Sequence, residues 1–436
     1  MFDLPKYGDG ICLARMAALL EALEVDRARL RRISVVVTGS NGKGSTAAMC
    51  ASIGRACGLR TGLFTSPHLL RFNERIQIDG AEIDDNALAR LKLRVEAAIA
   101  TVSKRTGEKF GAFEALFALA CLHFQDSQCD FAVFEAGIGG RYDVSRLVGA
   151  RETCVTSVDY EHVELLGKSL ELIVSDKSDA CAASGTIVYG ENCRDLRPHL
   201  VEYNRAAGRT ALFVRDNIRI DNAAASEQHF DFQFGHHDFR HIEVSLPGVF
   251  QFNNAAIAVT LFLLWLQREQ PGKTPDGLET AIRAGLREAR WPGRLEIIQQ
   301  DPLTVIDVGH TPDGIRQALA SLQSIHGADG WILVTGVSRD KKADEIVGAL
   351  APSFDTIICT AAHHKGAAAE AIAAAARRGN SKADIHVVAT VEDAVRLSQE
   401  LAKRLQRRIY VAGGLFLAIE YATATKGGRP QDLHFF

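Results

Sequence analysis

A chain of 436 residues with 47% hydrophobic residues can bury more than one core, and its length predicts two or three domains. The formal net charge of −3 argues against a general nucleic-acid-binding protein and against one held at a membrane surface. The nine cysteines are scattered and form no CxxC pair, which favours reduced thiols over a disulfide framework or a zinc site. Met1 to Lys6 contain no basic segment followed by an apolar one, and no uninterrupted apolar run reaches membrane-spanning length. We therefore expect a soluble, cytoplasmic protein.

The first predicted strand, residues 33–38, is apolar and β-branched, and a glycine-rich loop and a helix at residues 47–57 follow it. A phosphate-binding loop has the order strand, glycine loop, lysine, hydroxyls and helix, and this segment has that order. The loop is, however, shorter than the usual Walker A pattern. Glycines let backbone N–H groups approach phosphate oxygens, the helix N-terminus adds a positive dipole, and Lys43 can bridge the outer phosphates. The predicted ATP-binding residues here are Gly39, Asn41, Gly42, Lys43, Gly44, Ser45 and Thr46.

Strands and helices then alternate, which predicts a mostly parallel α/β sheet. The predicted strands are residues 61–65, 131–135, 154–158 and 186–189, and the predicted helices are residues 84–102, 113–124 and 253–266. Residues 216–242 have a weaker pattern, which we interpret as an antiparallel excursion.

The chain changes character near Arg290-Trp291-Pro292-Gly293-Arg294, where proline and glycine stand side by side. A second α/β series follows, with strands at residues 303–308, 332–335, 356–359, 385–388 and 408–411 and an Ala-rich helix at 367–376. We place the boundary at about residue 292. The prediction is a P-loop-type, mostly parallel sheet domain of residues 1–291 and a smaller Rossmann-like α/β domain of residues 292–436, with the active site in the cleft between them.

Motifs along nearly the whole chain carry a family resemblance. They lie at residues 39–46, 64–69, 71–76, 113–114, 135–143, 162–167, 251–256, 291–296 and 307–314. Because these motifs occur in the family's order and at plausible spacing, the chain resembles the folylpolyglutamate synthase/dihydrofolate synthase branch of the Mur ligase family.

The chemistry of such a ligase explains why cations are needed. A carboxylate does not react with an amine at neutral pH, because its leaving group is poor. Transfer of the γ-phosphoryl group of ATP makes an acyl phosphate, which the amine then attacks. Two anions must be held together, so Lys43, Mg²⁺ and a second Mg²⁺ are expected. Glu135 ends a buried strand beside a glycine turn, where a carboxylate is costly unless it binds a cation.

The resemblance assigns further roles, and each residue also has a simpler interpretation. The magnesium ligands are Ser66, Glu135 and His162, which could instead be a turn cap, a strand-end carboxylate and an ordinary polar histidine. Lys177 matches a lysine that is carbamylated in the family, although a lone helix lysine is normally solvated. The nucleotide-gripping residues are Asn254, Arg294 and Asp307, whose alternatives are a helix cap, a linker salt bridge and a strand-end carboxylate.

Departures from the family pattern gather partly where the incoming amino acid would lie. Thr311 replaces an Asn and Gly414 replaces a Ser, so potential donors to a carboxylate are lost. We expect His310, placed in the catalytic set, and Arg146 to act as replacement anchors, with weak glutamate affinity or an altered acceptor preference.

The sequence thus predicts an ATP-dependent amide ligase that joins L-glutamate to dihydropteroate, to folate or to both. We expect a monomer that uses ATP and Mg²⁺ on a pterin-type carboxylate and an amino acid, with no nucleic-acid or membrane partner. One alternative is a ligase of the same fold with a different carboxylate or amine. Another is a catalytically inactive, nucleotide-binding regulator, against which the retained Lys43, Glu135 and His162 argue.

Overall fold

The computed structural model describes residues 4–5, 8–10, 12–224, 227–271 and 276–435. The expectation for Met1 to Lys6 falls mostly outside these ranges.

An eight-stranded sheet forms the centre of the first part of the chain, in the order β4-β3-β2-β5-β1-β6-β7-β8. Its strands are β1 (Ser34–Thr38), β2 (Thr61–Phe64), β3 (Ile76–Ile78), β4 (Ala81–Glu82), β5 (Phe131–Glu135), β6 (Glu152–Val155), β7 (Thr186–Tyr189) and β8 (Thr210–Phe213). Strand β3 pairs antiparallel with both β2 and β4, and the other strand pairs of this sheet are parallel. The central strands β1 and β5 are buried throughout, as their unbroken apolar runs require in a parallel sheet covered by helices.

Helices cover both faces of this sheet. They are α1 (Leu13–Ala22), α2 (Arg27–Ile33), α3 (Lys43–Ala56), α4 (Asp85–Thr106), α5 (Ala112–Asp126), α6 (Val163–Leu166), α7 (Leu170–Ser178), α8 (Arg197–Ala206), α9 (Phe250–Glu269) and α10 (Leu278–Glu288). By length and composition α9 could cross a membrane, but 78% of its apolar window is buried. It is the core helix between α3 and a three-stranded antiparallel sheet. That sheet consists of β9 (Ile218–Ala224), β10 (His229–Phe234) and β11 (His237–Glu243), at the place of the predicted excursion.

A six-stranded sheet organises the rest of the chain, in the order β12-β13-β17-β14-β15-β16. Its strands are β12 (Glu296–Gln300), β13 (Leu303–Ile306), β14 (Trp331–Thr335), β15 (Thr356–Cys359), β16 (Asp384–Val387) and β17 (Arg408–Ala412). The helices are α11 (Pro312–His326), α12 (Ala343–Leu350), α13 (Ala369–Gly379), α14 (Val391–Leu405) and α15 (Leu415–Thr425). The edge strand β12 pairs antiparallel with β13, and the other pairs are parallel.

The predicted fold class is confirmed, with a large, parallel-rich sheet followed by a second, smaller sheet. The predicted strand at residues 154–158 was wrong at both ends, because β6 spans Glu152–Val155 and the residues after it turn toward the phosphate-binding loop. The linker at residues 291–294 lies between α10 and β12, and the boundary at residue 292 stays a prediction.

Candidate active site

The glycine-rich loop connects β1 directly to α3. Gly42 is the N-cap of α3 and has a φ of +85°, so its left-handed backbone starts the helix at Lys43. An added Cβ at Gly42 would lie 2.6 Å from Asn254 Oδ1, which leaves no room for a side chain. The ammonium of Lys43 folds back over the loop and donates to the carbonyls of Gly39 (2.8 Å) and Ser40 (3.3 Å). Free N–H groups of the first helical turn and one ammonium therefore share this site, which suits a phosphate chain.

Residues after β6 fix the shape of this loop. The Asn41 N–H donates to Ser157 Oγ at 2.8 Å, and the Thr156 hydroxyl donates to the Asn41 carbonyl at 2.6 Å. These bonds require the chain to leave the sheet after Val155, which explains why the strand is shorter than predicted. These roles could not be predicted from the sequence, because a serine and a threonine next to an apolar run also fit a strand.

A chain of amides on α9 reaches the same helix from the other side. Asn254 Nδ2 donates to Gln251 Oε1 at 2.9 Å, and Gln251 Nε2 lies 3.4 Å from the hydroxyl of Ser45. Both amides are buried. Asn254 is thus placed beside the phosphate-binding loop, and Gln251 is a supporting residue for which the sequence predicted no role.

A cavity of about 500 Å³ opens between the two sheets next to this loop. Gly42, Ser45 and Asn254 line it from the first sheet's side, and Arg294 and Asp307 line it from the second. This volume suits a nucleotide-sized ligand.

Asp307 shapes the second wall of that cavity. Its carboxylate accepts hydrogen bonds from the N–H groups of Gly309 (2.7 Å) and Leu295 (3.2 Å). Burial raises the pKa of Asp307, and the positive charge of Arg294 opposes that rise. Asp307 follows the end of β13 as a carboxylate held by backbone N–H groups, and its role in gripping the nucleotide stays a prediction.

Glu135 lies at the end of β5 and is 4% exposed. Its Oε2 accepts a hydrogen bond from the Ser66 N–H at 3.0 Å. Burial raises the pKa of Glu135 to about 7, although the charges of Lys43, Arg294 and Arg75 lower it. A buried carboxylate that nearby cations stabilise only in part is the group that a bound Mg²⁺ would complete.

His162 has an exposed side chain and the left-handed backbone (φ 44°) that begins α6, and the charges of Glu161, Lys177 and Lys43 act on it. Among the described residues, no three His, Cys, Asp or Glu side chains form a group that could hold a metal ion. The predicted ligand set contains only two such side chains, Glu135 and His162. Magnesium often takes one or two protein ligands together with phosphate oxygens and water, and the assignment of Ser66, Glu135 and His162 as its ligands stays a prediction.

Lys177 on α7 is 1% exposed, so the alternative of a solvated lysine was wrong. Its Nζ lies 2.6 Å from Glu161 Oε1, which makes a buried ion pair. Burial opposes the ionisation of Glu161, but the ammonium groups of Lys177 and Lys43 outweigh it and hold the pKa of Glu161 at about 2. Glu161 lies directly before His162 and pairs with Lys177, and the sequence predicted no role for it.

His310 follows β13 in the second sheet, and two of the cations that act on Glu135, Lys43 and Arg294, also act on it. Burial lowers its pKa to about 4, and the cations Lys341, Arg294 and Lys43 add to this effect. Its imidazole is therefore neutral at physiological pH and can accept a hydrogen bond. Lys341, in the loop after β14, acts on both His162 and His310 and was not predicted.

The residues at and around the positions that depart from the family pattern make different contacts. The Thr311 hydroxyl donates to Asn41 Oδ1 at 3.0 Å, so it joins the second sheet's loop to the phosphate-binding loop. Gly414 is the N-cap of α15, and an added Cβ there would meet no atom within 4 Å. Arg146 is exposed and donates to the Arg141 carbonyl at 2.9 Å. Its role as an acceptor anchor stays a prediction.

Comparisons with known proteins agree with this arrangement. The Mur ligase middle domain matches residues 37–262, and the Mur ligase glutamate ligase domain matches residues 293–415. Folylpolyglutamate synthase of Lacticaseibacillus casei is 32% identical over 357 residues, covering 81% of each chain. Dihydrofolate synthase/folylpolyglutamate synthase of Bacillus subtilis is 30% identical over 78% of this chain and 79% of its own. The crystal structure of Mycobacterium tuberculosis folylpolyglutamate synthase complexed with ADP and AMPPCP is similar with a TM-score of 0.84 and 28% identity. That similarity covers 97% of this chain and 96% of the other.

Proposed function

Because the chain belongs to the Mur ligase family, in its folylpolyglutamate synthase/dihydrofolate synthase branch, we propose that it joins L-glutamate to dihydropteroate, to folate or to both. It is an ATP-dependent carbon–nitrogen ligase. The reaction proceeds through an acyl phosphate, and the products are an amide, ADP and phosphate. We further propose that it acts in the cytoplasm as a monomer and binds neither nucleic acid nor membrane.

The observation that carries this proposal is the nucleotide-sized cavity whose walls come from both sheets. The first wall presents the phosphate-binding loop and Asn254, and the second presents Arg294 and Asp307. A ligand in this cavity holds the two parts of the chain together, as a ligase that must exclude water requires. We propose the division at residue 292 on the same ground.

Each side chain then has a stated task. The N–H groups at the start of α3 and the ammonium of Lys43 bind the β- and γ-phosphates and stabilise the charge that develops during transfer. Ser66, Glu135 and His162 would hold Mg²⁺, which when bound neutralises phosphate charge and orients the γ-phosphoryl group. His310, whose imidazole is neutral, would accept a hydrogen bond from the neutral amino group of the incoming amino acid, which attacks the acyl phosphate and releases phosphate.

Lys177 has a supporting task. We propose that it becomes carbamylated, as the family resemblance implies, and so helps to place the metal. Burial lowers the pKa of Lys177, which raises the fraction of neutral amine that can react with carbon dioxide. The ion pair with Glu161 competes with this modification.

The direct test is a screen of ATP-dependent products by mass spectrometry. Dihydropteroate and tetrahydrofolate are each incubated with ATP, Mg²⁺ and a set of amino acids, and Lys43→Ala serves as the inactive control. We expect a product heavier by one glutamyl residue. A product with another amino acid or another acid would favour the ligase with different substrates. Nucleotide binding without any product across the set would favour the inactive regulator.

A further inference from the structure

The segment after α15 runs back toward the cleft between the sheets. The chain reverses at Gly427 and Gly428, and the short 3₁₀ helix Pro430–Asp432 packs against α15. Gln431 Nε2 donates to Glu392 Oε1 at 2.8 Å, which holds this stretch to its own domain. Residues 434 and 435 then reach His68 and Arg75 of the first part of the chain.

Phe435 anchors the far end of this segment. It is 2% exposed, and its ring centroid lies 4.7 Å from that of His364 and 4.8 Å from that of Phe416. Both contacts are edge-to-face, a favourable geometry for aromatic rings. His364 is itself held by the buried carboxylate of Glu420, at 2.9 Å. The end of the segment is therefore fixed to the second domain by packing.

The backbone of the same residues contacts the first domain. His68 Nε2 lies 2.6 Å from the His434 carbonyl, and an Arg75 Nη2 lies 3.4 Å from the Phe435 carbonyl. His68 Nδ1 accepts from Arg75 Nε at 2.7 Å, so the proton on His68 is on Nε2, which donates to the segment. Residues 434 and 435 thus bond one domain through carbonyls while Phe435 packs on the other.

Hydrogen bonds connect the residues that hold this segment to the candidate metal site. The Arg75 carbonyl accepts from the Thr65 N–H at 2.9 Å, which closes the loop of residues 65–75. The next residue, Ser66, donates its N–H to Glu135. Arg75 is 8% exposed, and its positive charge acts on Glu135. A displacement of His68 or Arg75 would therefore move Ser66 relative to Glu135.

We propose that residues 430–435 form an interdomain strap that positions the 65–75 loop, so that Ser66 and Arg75 keep their places beside Glu135 while the second domain is docked. Phe435 is a positioning residue in this scheme, because it acts through the loop. The strap does not depend on the identity of the substrates.

Hydrogen–deuterium exchange of the full-length protein tests the strap without an activity assay. Removal of residues 434–436 deletes both carbonyls, and we expect amides in the 65–75 loop to exchange at least about fivefold faster. Phe435→Ala removes only the anchor and should shift the same amides in the same direction. His434→Ala keeps its carbonyl and has an exposed side chain, so it is the matched control and should leave the loop unchanged.

Unchanged exchange in the loop after removal of residues 434–436 would overturn the proposal, as would an equal effect of His434→Ala. If the removal also speeds exchange in β14 and β17, a general loss of stability must be distinguished from loss of the strap. The removal is then made in the His68→Ala variant, and the proposal requires that it add little further exchange in the 65–75 loop. If the two changes each speed exchange in the loop independently, so that their effects multiply, the proposal is contradicted.

Steady-state kinetics give a second readout, which rests on the proposed function. The removal should lower kcat at least about tenfold, because it displaces Ser66 relative to Glu135 at the candidate metal site, and Phe435→Ala should lower kcat in the same direction. An unchanged kcat after the removal, or an equal loss in His434→Ala, would contradict a positioning role. A wild-type protein without ligase activity would refute the proposed function and leave the exchange experiment as the test of the strap.

Discussion

At the scale of single residues, the site contains buried charges of two kinds. The Glu161–Lys177 pair is internally compensated, with a 2.6 Å contact between its charged atoms. Glu135 lacks such a close partner, and its burial raises its pKa to about 7. We interpret this difference as functional. We propose that the compensated pair supports the site and that the incompletely compensated carboxylate binds a cation.

Lys43→Ala tests the phosphate site. The substitution removes a cation from the place where negative charge develops, so turnover should fall by at least about 10²-fold with the fold intact. Turnover is measured by ADP release and folding by circular dichroism, with the exposed Lys168→Ala as the control. A folded variant with near-wild-type turnover would show that Lys43 does not bind the reacting phosphate.

Glu135→Gln tests the cation site through stability as well as activity. The folded pKa of about 7 lies above the ordinary 4.5, so the folded state binds this proton more tightly than the unfolded state. The associated stability is present at low pH and is lost as pH rises through 7, by up to about 3 kcal/mol without metal.

The Gln variant cannot ionise, so without Mg²⁺ it should be more stable than wild type near about pH 8 and less dependent on pH. Mg²⁺ should stabilise the wild type and not the variant, whose ligase activity should fall steeply. Thermal denaturation between about pH 5 and 8 measures this, with the exposed Glu202→Gln as control. An unchanged magnesium dependence in the Glu135 variant would count against the ligand role.

At the scale of elements, the sequence predicted the strands that are buried on both faces. Residues 131–135 and 186–189 were predicted with their observed bounds, because continuous apolar runs fit the inside of a parallel sheet. The edge strand β12 was missed, since Glu296-Ile297-Ile298-Gln299-Gln300 is polar and half exposed. The bonds of Thr156 and Thr311 to the phosphate-binding loop also could not be predicted. They depend on which elements lie side by side, a property that local pattern does not encode.

The N-terminus of α15 carries the prediction on the amino-acid acceptor. Gly414 is its N-cap and has space for a side chain, and serine is a favourable residue at this position. If glutamate is the acceptor, Gly414→Ser restores a hydroxyl donor and should lower KM for glutamate about tenfold.

Initial rates at varied glutamate concentration measure this effect. Gly348→Ser on α12 is the control, because its added Cβ also meets no atom within 4 Å. Thr311→Asn is a less clean test, since the Thr311 hydroxyl already bonds Asn41. Tight glutamate saturation in the native protein, unaffected by Gly414→Ser, would show that the acceptor lies elsewhere.

At the scale of the whole molecule, we expect catalysis to require that the two parts of the chain close on each other. The phosphate-binding loop lies in one part and Arg294, Asp307 and His310 in the other. We expect a nonhydrolysable nucleotide plus acyl substrate to reduce the radius of gyration in small-angle scattering, because closure excludes water from the acyl phosphate. Identical profiles with both ligands verified as bound would argue that no closure occurs.

The central claim is that the carboxylate is activated as an acyl phosphate, and isotope transfer tests it most directly. Dihydropteroate labelled with ¹⁸O in both carboxylate oxygens is incubated with ATP, Mg²⁺ and glutamate, and the released phosphate is analysed by mass spectrometry. One carboxylate oxygen attacks the γ-phosphorus and leaves with the phosphate when the amine displaces it. The account predicts one ¹⁸O in the phosphate for each amide formed. Amide formation with unlabelled phosphate would contradict it.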